Sequence, residues 1–265
     1  MTLYSKQTLS TQLEWRIKSL IRQLIGSSRK GPRIFGVGAA KTGTHSLGEM
    51  FNDKIKSHHE LDIELLIYMH LERVKTGNNE IIRRFLLRRG MVRDLKIDAS
   101  HINIYLIDDF EELFPESLYV LTIRHPLDWL RSFIDDSLRA EASDAFKVFR
   151  EYRFGSNYGH TREEKALADR GLFTLQGYLK YWCFAIEEVT NKIPNDRLFI
   201  LRTDELGEKS DEIAHFCGIK SDPIDKSRAK SYVNTKRFNV LSEIPKEYLD
   251  NIIEAECGHL LQRFF

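Results

Sequence analysis

Arg33-Ile-Phe-Gly-Val-Gly-Ala-Ala-Lys-Thr-Gly-Thr-His-Ser-Leu47 is an apolar, strand-like run that breaks into a turn of small residues and then reopens as the start of a helix. Backbone N–H groups at such a turn and in the first turn of a helix point outward together, so they can bind an anion. Small residues let the backbone approach that anion closely. The residues expected to contact it are Ala40, Lys41, Thr42, Gly43, Thr44, His45 and Ser46. The stretch therefore predicts a phosphate- or sulfate-binding loop.

A second motif lies further along the chain. Leu118-Tyr-Val-Leu-Thr-Ile-Arg124 predicts a buried strand that runs into His125-Pro126 and then into a helix. Pro126 suits the first turn of that helix, and Ser132 lies roughly two turns along it. The Arg124 guanidinium and the Ser132 hydroxyl can therefore bind one anion from two sides.

Both motifs resemble those of the sulfotransferases that use 3′-phosphoadenosine 5′-phosphosulfate (PAPS). Lys41-Thr-Gly-Thr-His-Ser46 resembles the loop that binds the 5′-phosphosulfate, and Arg124 with Ser132 resembles the pair that holds the 3′-phosphate. A Walker A loop fits less well, because Ala40 precedes the lysine and Gly43 follows it. The resemblance implies a P-loop-like sulfotransferase fold, PAPS as sulfuryl donor, and 3′-phosphoadenosine 5′-phosphate as product. The implied acceptor is a small molecule, glycan or lipid that bears a hydroxyl or amine.

Weaker matches extend the resemblance to roughly residues 33–240. Thr203 follows a predicted strand at a place where many relatives have a tyrosine close to the nucleotide. Lys236 and Arg237 resemble part of the late basic loop that closes over the 3′-phosphate, although the Arg-Lys-Gly of cytosolic relatives is missing. These three residues are further predicted cofactor contacts.

Sulfuryl transfer needs a base for the acceptor proton and positive charge on the leaving phosphate oxygen. Lys41 is the candidate for the second task. The resemblance to glycan and tyrosyl sulfotransferases favours Glu60 as the base. His59 and His101 remain alternatives, because imidazole titrates near neutral pH and cytosolic relatives use a histidine. Adjacent histidines at 58 and 59 lack the spacing of a helical metal site, so no metal is predicted.

Alternating strand and helix patterns predict an α/β fold with three layers, in which helices cover both faces of a parallel sheet. The predicted strands are 33–39, about 92–98, 118–124 and 198–202, with a short strand ending near 60. The predicted helices are 44–53, others within 60–89, 101–112, 126–140, 171–190, 204–216 and 246–262. Residues 31–265 are interpreted as a single domain, and residues 1–30 as an amphipathic helical extension. Residues 141–170 are interpreted as an acceptor-binding lid, whose aromatic side chains suit either an acceptor or a satellite core.

Composition and charge bear on the partners and the cellular compartment that can be expected. The 265 residues are 42% hydrophobic and carry 40 basic and 39 acidic side chains, so net charge gives no reason to expect nucleic-acid binding. Three scattered cysteines fit reduced thiols in a cytoplasmic protein. No apolar run is long enough to span a membrane. The N-terminal helix would pack on the domain or on a second subunit of a homodimer, and the arginine run at 83–93 is interpreted as a solvated helix face.

Two other functions remain open on the sequence. One is an ATP-dependent small-molecule kinase, which would require magnesium and ignore a 3′-phosphate on the nucleotide. The other is a non-catalytic nucleotide-binding or scaffold protein, which would bind nucleotide without turnover.

Overall fold

The fold is described from a computed structural model that covers residues 34–51, 55–93, 95–155, 159–219, 224–230 and 236–265. The helix predicted within residues 1–30 lies outside these ranges. None of the helices in these ranges is long and apolar enough to cross a membrane.

Five parallel strands form one sheet within the described residues, in the order β2-β3-β1-β4-β5. The strands are β1 Ile34–Val37, β2 Ser57–His59, β3 Ile97–Ala99, β4 Leu118–Ile123 and β5 Leu198–Arg202. β1 is central, and Ile34 lies beside Ile97 on one neighbour and Leu118 on the other. Parallel strands require crossover connections, so the helices between them cover the sheet. The predicted α/β class with a parallel sheet is confirmed.

Helices lie on both faces of the sheet. Their bounds are α1 Thr44–Met50, α2 Ile63–Thr76, α3 Glu80–Arg93, α4 Ile107–Leu113, α5 Pro126–Arg139, α6 Asp144–Phe154, α7 Lys165–Ala168, α8 Leu175–Lys192, α9 Ser210–Phe216 and α10 Lys246–Phe264. Successive strand residues point to opposite faces. Ile34 therefore packs in a smaller core with α1 and α9, whereas Phe35 packs in the larger core on the other face. Phe35 stacks there on Phe110, with ring centroids 3.8 Å apart.

Several predicted boundaries differ from the structure. α3 continues to Arg93, so the strand expected over 92–98 is limited to Ile97–Ala99. The helix expected over 101–112 divides into a 3-10 turn, His101–Tyr105, and α4, because the Ser100 hydroxyl accepts from the amide of Ile102 and begins a tight turn. The helix expected over 204–216 likewise begins as a separate 3-10 turn and continues as α9 only after residue 209.

The segment 141–170 contains α6 and α7. Phe149 and Phe154 on α6 are fully buried and belong to the larger core. Their rings therefore stabilise the attachment of α6 to the domain. Tyr158, another aromatic residue of this segment, lies outside the described residues.

Candidate functional site

A cavity of about 610 Å³ lies at the carboxyl edge of the sheet. Residues that follow β1, β2, β4 and β5 line it, which is where parallel α/β sheets place their ligands. The predicted site residues that line it are Ala40, Lys41, Gly43, Thr44, His45, Ser46, His59, Glu60, Arg124, Ser132, Thr203 and Arg237. The fold thus brings the two sequence motifs to one cavity. Thr42, His101 and Lys236 are not among the residues that line it.

The loop after β1 brings its backbone close to the cavity. Gly38 has a φ of 141°, and a Cβ at this position would lie 2.4 Å from the Thr122 carbonyl oxygen, so only glycine fits. Lys41 and Gly43 also have positive φ, at 73° and 114°. Left-handed residues in a turn direct neighbouring backbone N–H groups to one side, which suits anion binding. No side chain caps the first turn of α1, which begins directly after Gly43 and lines the cavity.

Thr42 has a structural position inside this loop. Its hydroxyl donates to the Ala39 carbonyl oxygen at 2.7 Å and lies 2.9 Å from the hydroxyl of Thr122 on β4. The side chain is 2% exposed. Its hydroxyl therefore joins the loop to β4, in contrast to the expectation that it contacts the anion.

Two further side chains hold the loop from outside. The buried Trp129 on α5 donates its indole N–H to the Ala40 carbonyl oxygen at 2.7 Å. The Thr203 hydroxyl lies 2.9 Å from the Ile123 carbonyl oxygen and also within hydrogen-bonding distance of the Thr42 carbonyl oxygen. Because these groups are fixed by packing, the loop is held in its ligand-facing shape before a ligand binds.

Lys41 extends along the cavity wall towards α5. Its Nζ atom lies 3.1 Å from a carboxylate oxygen of Asp136. Burial lowers the pKa of the ammonium group, the Asp136 carboxylate opposes this change, and the charges of Arg139 and Arg124 lower the pKa further. The ammonium is thus surrounded by more than one like charge. An anion bound in the cavity would relieve this repulsion.

Arg124 and Arg237 form a second positive region of the same cavity. The described carboxylates make no ion pair with Arg124. Burial lowers the pKa of Arg124. The charge of Asp128 raises this pKa, and the charge of Arg237 lowers it further. Arg237 is held in place by Asp135, whose carboxylate lies 3.2 Å from its guanidinium. Ser132, one turn before Asp136 on α5, adds a hydroxyl to this region. The region combines two guanidinium groups with a hydroxyl, which suits a phosphate.

Glu60 lies at the end of β2 and turns its carboxylate into the cavity. His101 Nδ1 lies 2.7 Å from one carboxylate oxygen, and His59 Nε2 lies 3.6 Å from the same oxygen. Burial raises the pKa of Glu60, but the charge and hydrogen bond of His101, with the charges of His59 and Arg153, outweigh it and lower the pKa to about 2. Glu60 is therefore ionised at neutral pH, but a carboxylate with so low a pKa is a weak base, and the raised pKa that favours catalysis near pH 7 is not found here.

The two candidate histidines differ in position. His59 lines the cavity, with Nε2 3.3 Å from the Thr44 hydroxyl and its ring 4.8 Å from that of His45. Burial lowers the pKa of His59 to about 4, so its imidazole is neutral at pH 7. His101 is 1% exposed and lies behind Glu60, so it orients the carboxylate instead of reaching the cavity. In the described ranges, no group of three His, Cys, Asp or Glu side chains is arranged to hold a metal ion.

A buried ion pair supports the turn that carries Glu60. Arg89 on α3 donates to both carboxylate oxygens of Asp98 at 2.7 and 2.9 Å, and to the Leu61 carbonyl oxygen at 3.1 Å. Arg89 is 2% exposed and Asp98 is fully buried. The backbone of Glu60 and Asp62 has positive φ, so this turn needs such external support. The expectation that the whole arginine run at 83–93 is a solvated face is therefore wrong for Arg89.

Lys236 lies outside the cavity, with Nζ 4.8 Å from the centre of the Phe238 ring. Four cavity residues were missed from the sequence: His125, Asp128, Asp204 and Phe265. The sequence spacing could have indicated Asp128 and Asp136. Each lies four residues from Ser132, so both share the face of the helix that carries Ser132. Phe265 has no local signal, since its approach to the cavity depends on how α10 packs.

The comparisons with known proteins gave matches only among solved structures. No protein-family model matches the chain, and no curated protein matches it in sequence. The chain is similar to a sulfotransferase from Alicyclobacillus acidocaldarius, with 14% identity and a TM-score of 0.45 over 84% of this chain and 94% of that one. It is also similar to the sulfotransferase domain of the Synechococcus PCC 7002 olefin synthase, with 12% identity and a TM-score of 0.43 over 83% of this chain and 82% of that one.

Proposed function

We propose that the chain is a sulfotransferase that moves a sulfuryl group from PAPS to the hydroxyl or amine of an acceptor. One observation carries this proposal: a single cavity combines two separate regions whose groups suit anions with a carboxylate whose pKa is lowered to about 2. The first region is the loop with Lys41, and the second contains Arg124, Ser132 and Arg237. A nucleotide with phosphate groups at both its 5′ and 3′ positions would use both regions.

The residues present fit this donor. Arg124 and Arg237 are close enough for Arg237 to lower the pKa of Arg124, and such repulsion favours binding of a dianionic phosphate. In this proposal they bind the 3′-phosphate with Ser132, while the loop and Lys41 bind the phosphosulfate. When bound, PAPS supplies an activated sulfuryl group whose leaving group is a phosphate oxygen.

The chain's own residues have three tasks in this reaction. The loop backbone orients the donor for in-line attack by the acceptor. Glu60 takes the proton of the acceptor hydroxyl or amine as the new bond to sulfur forms, and His101 holds that carboxylate at 2.7 Å. Lys41 stabilises the negative charge that develops on the leaving phosphate oxygen. The acceptor proton ends on Glu60 and the bond electrons on the leaving phosphate.

The first test is a calorimetric titration of 3′-phosphoadenosine 5′-phosphate without magnesium, with 5′-AMP and ATP as comparison ligands. We expect micromolar binding that requires the 3′-phosphate and weakens at least tenfold in Arg124→Ala, because charge-assisted hydrogen bonds contribute about 1.5–3 kcal/mol. Arg84→Ala is the matched control, since Arg84 is an exposed arginine on α3 that pairs with Glu80. It should bind like the wild type.

Other outcomes would favour the other functions. A preference for ATP, with magnesium dependence, would favour the kinase. Equal binding by wild type and Arg124→Ala would refute the assigned phosphate site. Binding of the nucleotide without transfer of labelled sulfate to any of a broad acceptor panel would favour a non-catalytic nucleotide-binding protein.

A further inference from the structure

Two arginines on α6 differ from most cations of the described chain, because neither makes an ion pair with a described carboxylate. Arg150 and Arg153 lie three residues apart, so they share one side of the helix. Both side chains are half-buried, and the Nε atom of each is buried without a hydrogen-bond partner among the described residues. Burying a charge without a counter-ion is costly, so such an arrangement needs an explanation.

Aromatic rings surround these guanidinium groups in place of carboxylates. Arg153 lies 4.5 Å from the ring centre of Phe149 and 5.1 Å from that of Tyr181. Arg150 lies 5.9 Å from the ring centre of Phe133. Burial and the charge of Arg153 both lower the pKa of Arg150. Ring faces attract cations but do not use the N–H donors of a guanidinium. Arg153 Nη1 donates to the Tyr181 hydroxyl at 3.4 Å and both Nε atoms are buried, so the other Nη donors of the two arginines are the ones that can bind an anion.

The two arginines lie close to residues of the proposed reaction centre. Arg153 is close enough to lower the pKa of Glu60, and Asp136, which pairs with Lys41, also acts on Arg150. On the same helix, Phe149 packs 6.2 Å from the ring of His101, behind Glu60. Neither arginine lines the 610 Å³ cavity, so the nucleotide site is complete without them.

We propose that Arg150 and Arg153 form an anion-binding subsite for the acceptor. The acceptor is then a small organic molecule with a reacting hydroxyl or amine and, on the same molecule, a carboxylate, phosphate or sulfate group. The anionic group binds the two guanidinium groups while the hydroxyl or amine faces Glu60. This inference rests on the proposed sulfotransferase function, since it assigns the second substrate of the same site.

The test uses matched acceptor pairs that differ in charge: lactate and lactamide, mandelate and mandelamide, and phosphoethanolamine and ethanolamine. Each is titrated into protein saturated with 3′-phosphoadenosine 5′-phosphate, and each is assayed for sulfuryl transfer. We expect the wild type to prefer the anionic member of at least one pair by tenfold or more. Arg150→Gln and Arg153→Gln should each reduce that preference about tenfold, because each removes a charge-assisted contact.

Lys147→Gln is the matched control, because Lys147 is an exposed cation of the same helix that pairs with Glu141. It should keep the wild-type preference. Arg153→Lys, which retains the charge but not the planar fork, should fall between wild type and Arg153→Gln. The lactate and mandelate pairs test a carboxylate as the anionic group, and the phosphoethanolamine pair tests a phosphate.

The thermal midpoint of unfolding (Tm) of the variants distinguishes an anion-binding role of the arginines from a structural one. Arg150→Gln removes a half-buried charge that lacks a counter-ion, so its Tm should equal or exceed that of the wild type. A clearly lower Tm would make Arg150 a structural residue and overturn the proposal. Equal preference in wild type and both glutamine variants, or no preference in any pair, would also overturn it. Failure of the wild type to bind 3′-phosphoadenosine 5′-phosphate would instead refute the sulfotransferase function itself, and the subsite with it.

Discussion

Replacing Glu60 with glutamine tests whether the surrounding charges hold this carboxylate ionised. Burial raises its pKa, but the charge and hydrogen bond of His101, together with the charges of His59 and Arg153, outweigh burial and bring the pKa from 4.5 to about 2. A carboxylate whose pKa is lowered in the folded state stabilises the fold above its unfolded pKa and loses that contribution as the pH falls towards the folded value. At 1.36 kcal/mol per pKa unit, the contribution is about 3 kcal/mol at neutral pH and about 1 kcal/mol at pH 3.

The assay is urea denaturation of wild type and Glu60→Gln between pH 7 and pH 3. The difference between their free energies of unfolding should fall by about 2 kcal/mol over this range, mostly below pH 4.5. In a His101→Asn background the same difference should change less, because the strongest interaction that opposes burial has been removed. A difference that stays constant or widens between pH 5 and pH 3 would refute the reasoning.

The same variant has a catalytic consequence under the proposed function. Glutamine keeps the shape of the side chain but cannot accept the acceptor proton, so turnover should fall by about 10²–10⁴. Binding of 3′-phosphoadenosine 5′-phosphate should change little. Turnover equal to that of the wild type would exclude Glu60 as the base and bring His59, which is neutral at pH 7, forward in its place.

Three further substitutions test separate parts of the site. Lys41→Met should lower kcat for sulfuryl transfer by about 10²–10³ in steady-state assays, because it removes the charge that stabilises the leaving oxygen; an unchanged kcat would contradict that role. Arg89→Met should cost about 3–5 kcal/mol in urea denaturation, because it leaves the buried carboxylate of Asp98 without a partner. Adding Asp98→Asn should recover part of that loss, and no recovery would count against the ion pair. Trp129→Phe should cost about 1–3 kcal/mol, because the Ala40 carbonyl oxygen loses its donor; a wild-type unfolding curve would show that water replaces it.

The side of the cavity that contains Lys41 and Arg124 could be predicted from the sequence because its signals are local. Each motif is a buried strand that ends in a turn with a special residue, Gly38 in one and Pro126 in the other. Carboxyl ends of neighbouring parallel strands meet at one edge, and β1 pairs directly with β4. Two local patterns therefore sufficed to predict that Lys41 and Arg124 share a cavity.

The contacts that position Lys41 and Glu60 could not be predicted in the same way, because they join distant parts of the chain. Lys41 meets Asp136 across 95 positions, and Glu60 meets His101 across 41. Neither partner carries a motif of its own. The orientation of the Thr42 side chain could not be predicted either. A hydroxyl in such a loop can point to a ligand or into the loop, and here it points to the hydroxyl of Thr122 on β4.

The strand order explains why residues from both halves of the sheet line one cavity at its carboxyl edge. After β1 the chain crosses to β2 at the edge, returns to β3, and then passes β1 to reach β4 on its other side. The connection after β1 leads to one side of the sheet and the connection after β4 leads to the other, so a crevice opens between the carboxyl ends of these two adjacent strands, where the loop lies. Glu60 approaches this crevice from the β2 side and Arg124 from the β4 side. The Glu60 carboxylate and the Arg124 guanidinium thus enter one cavity from opposite sides of the β1 loop, as the in-line transfer proposed above would require.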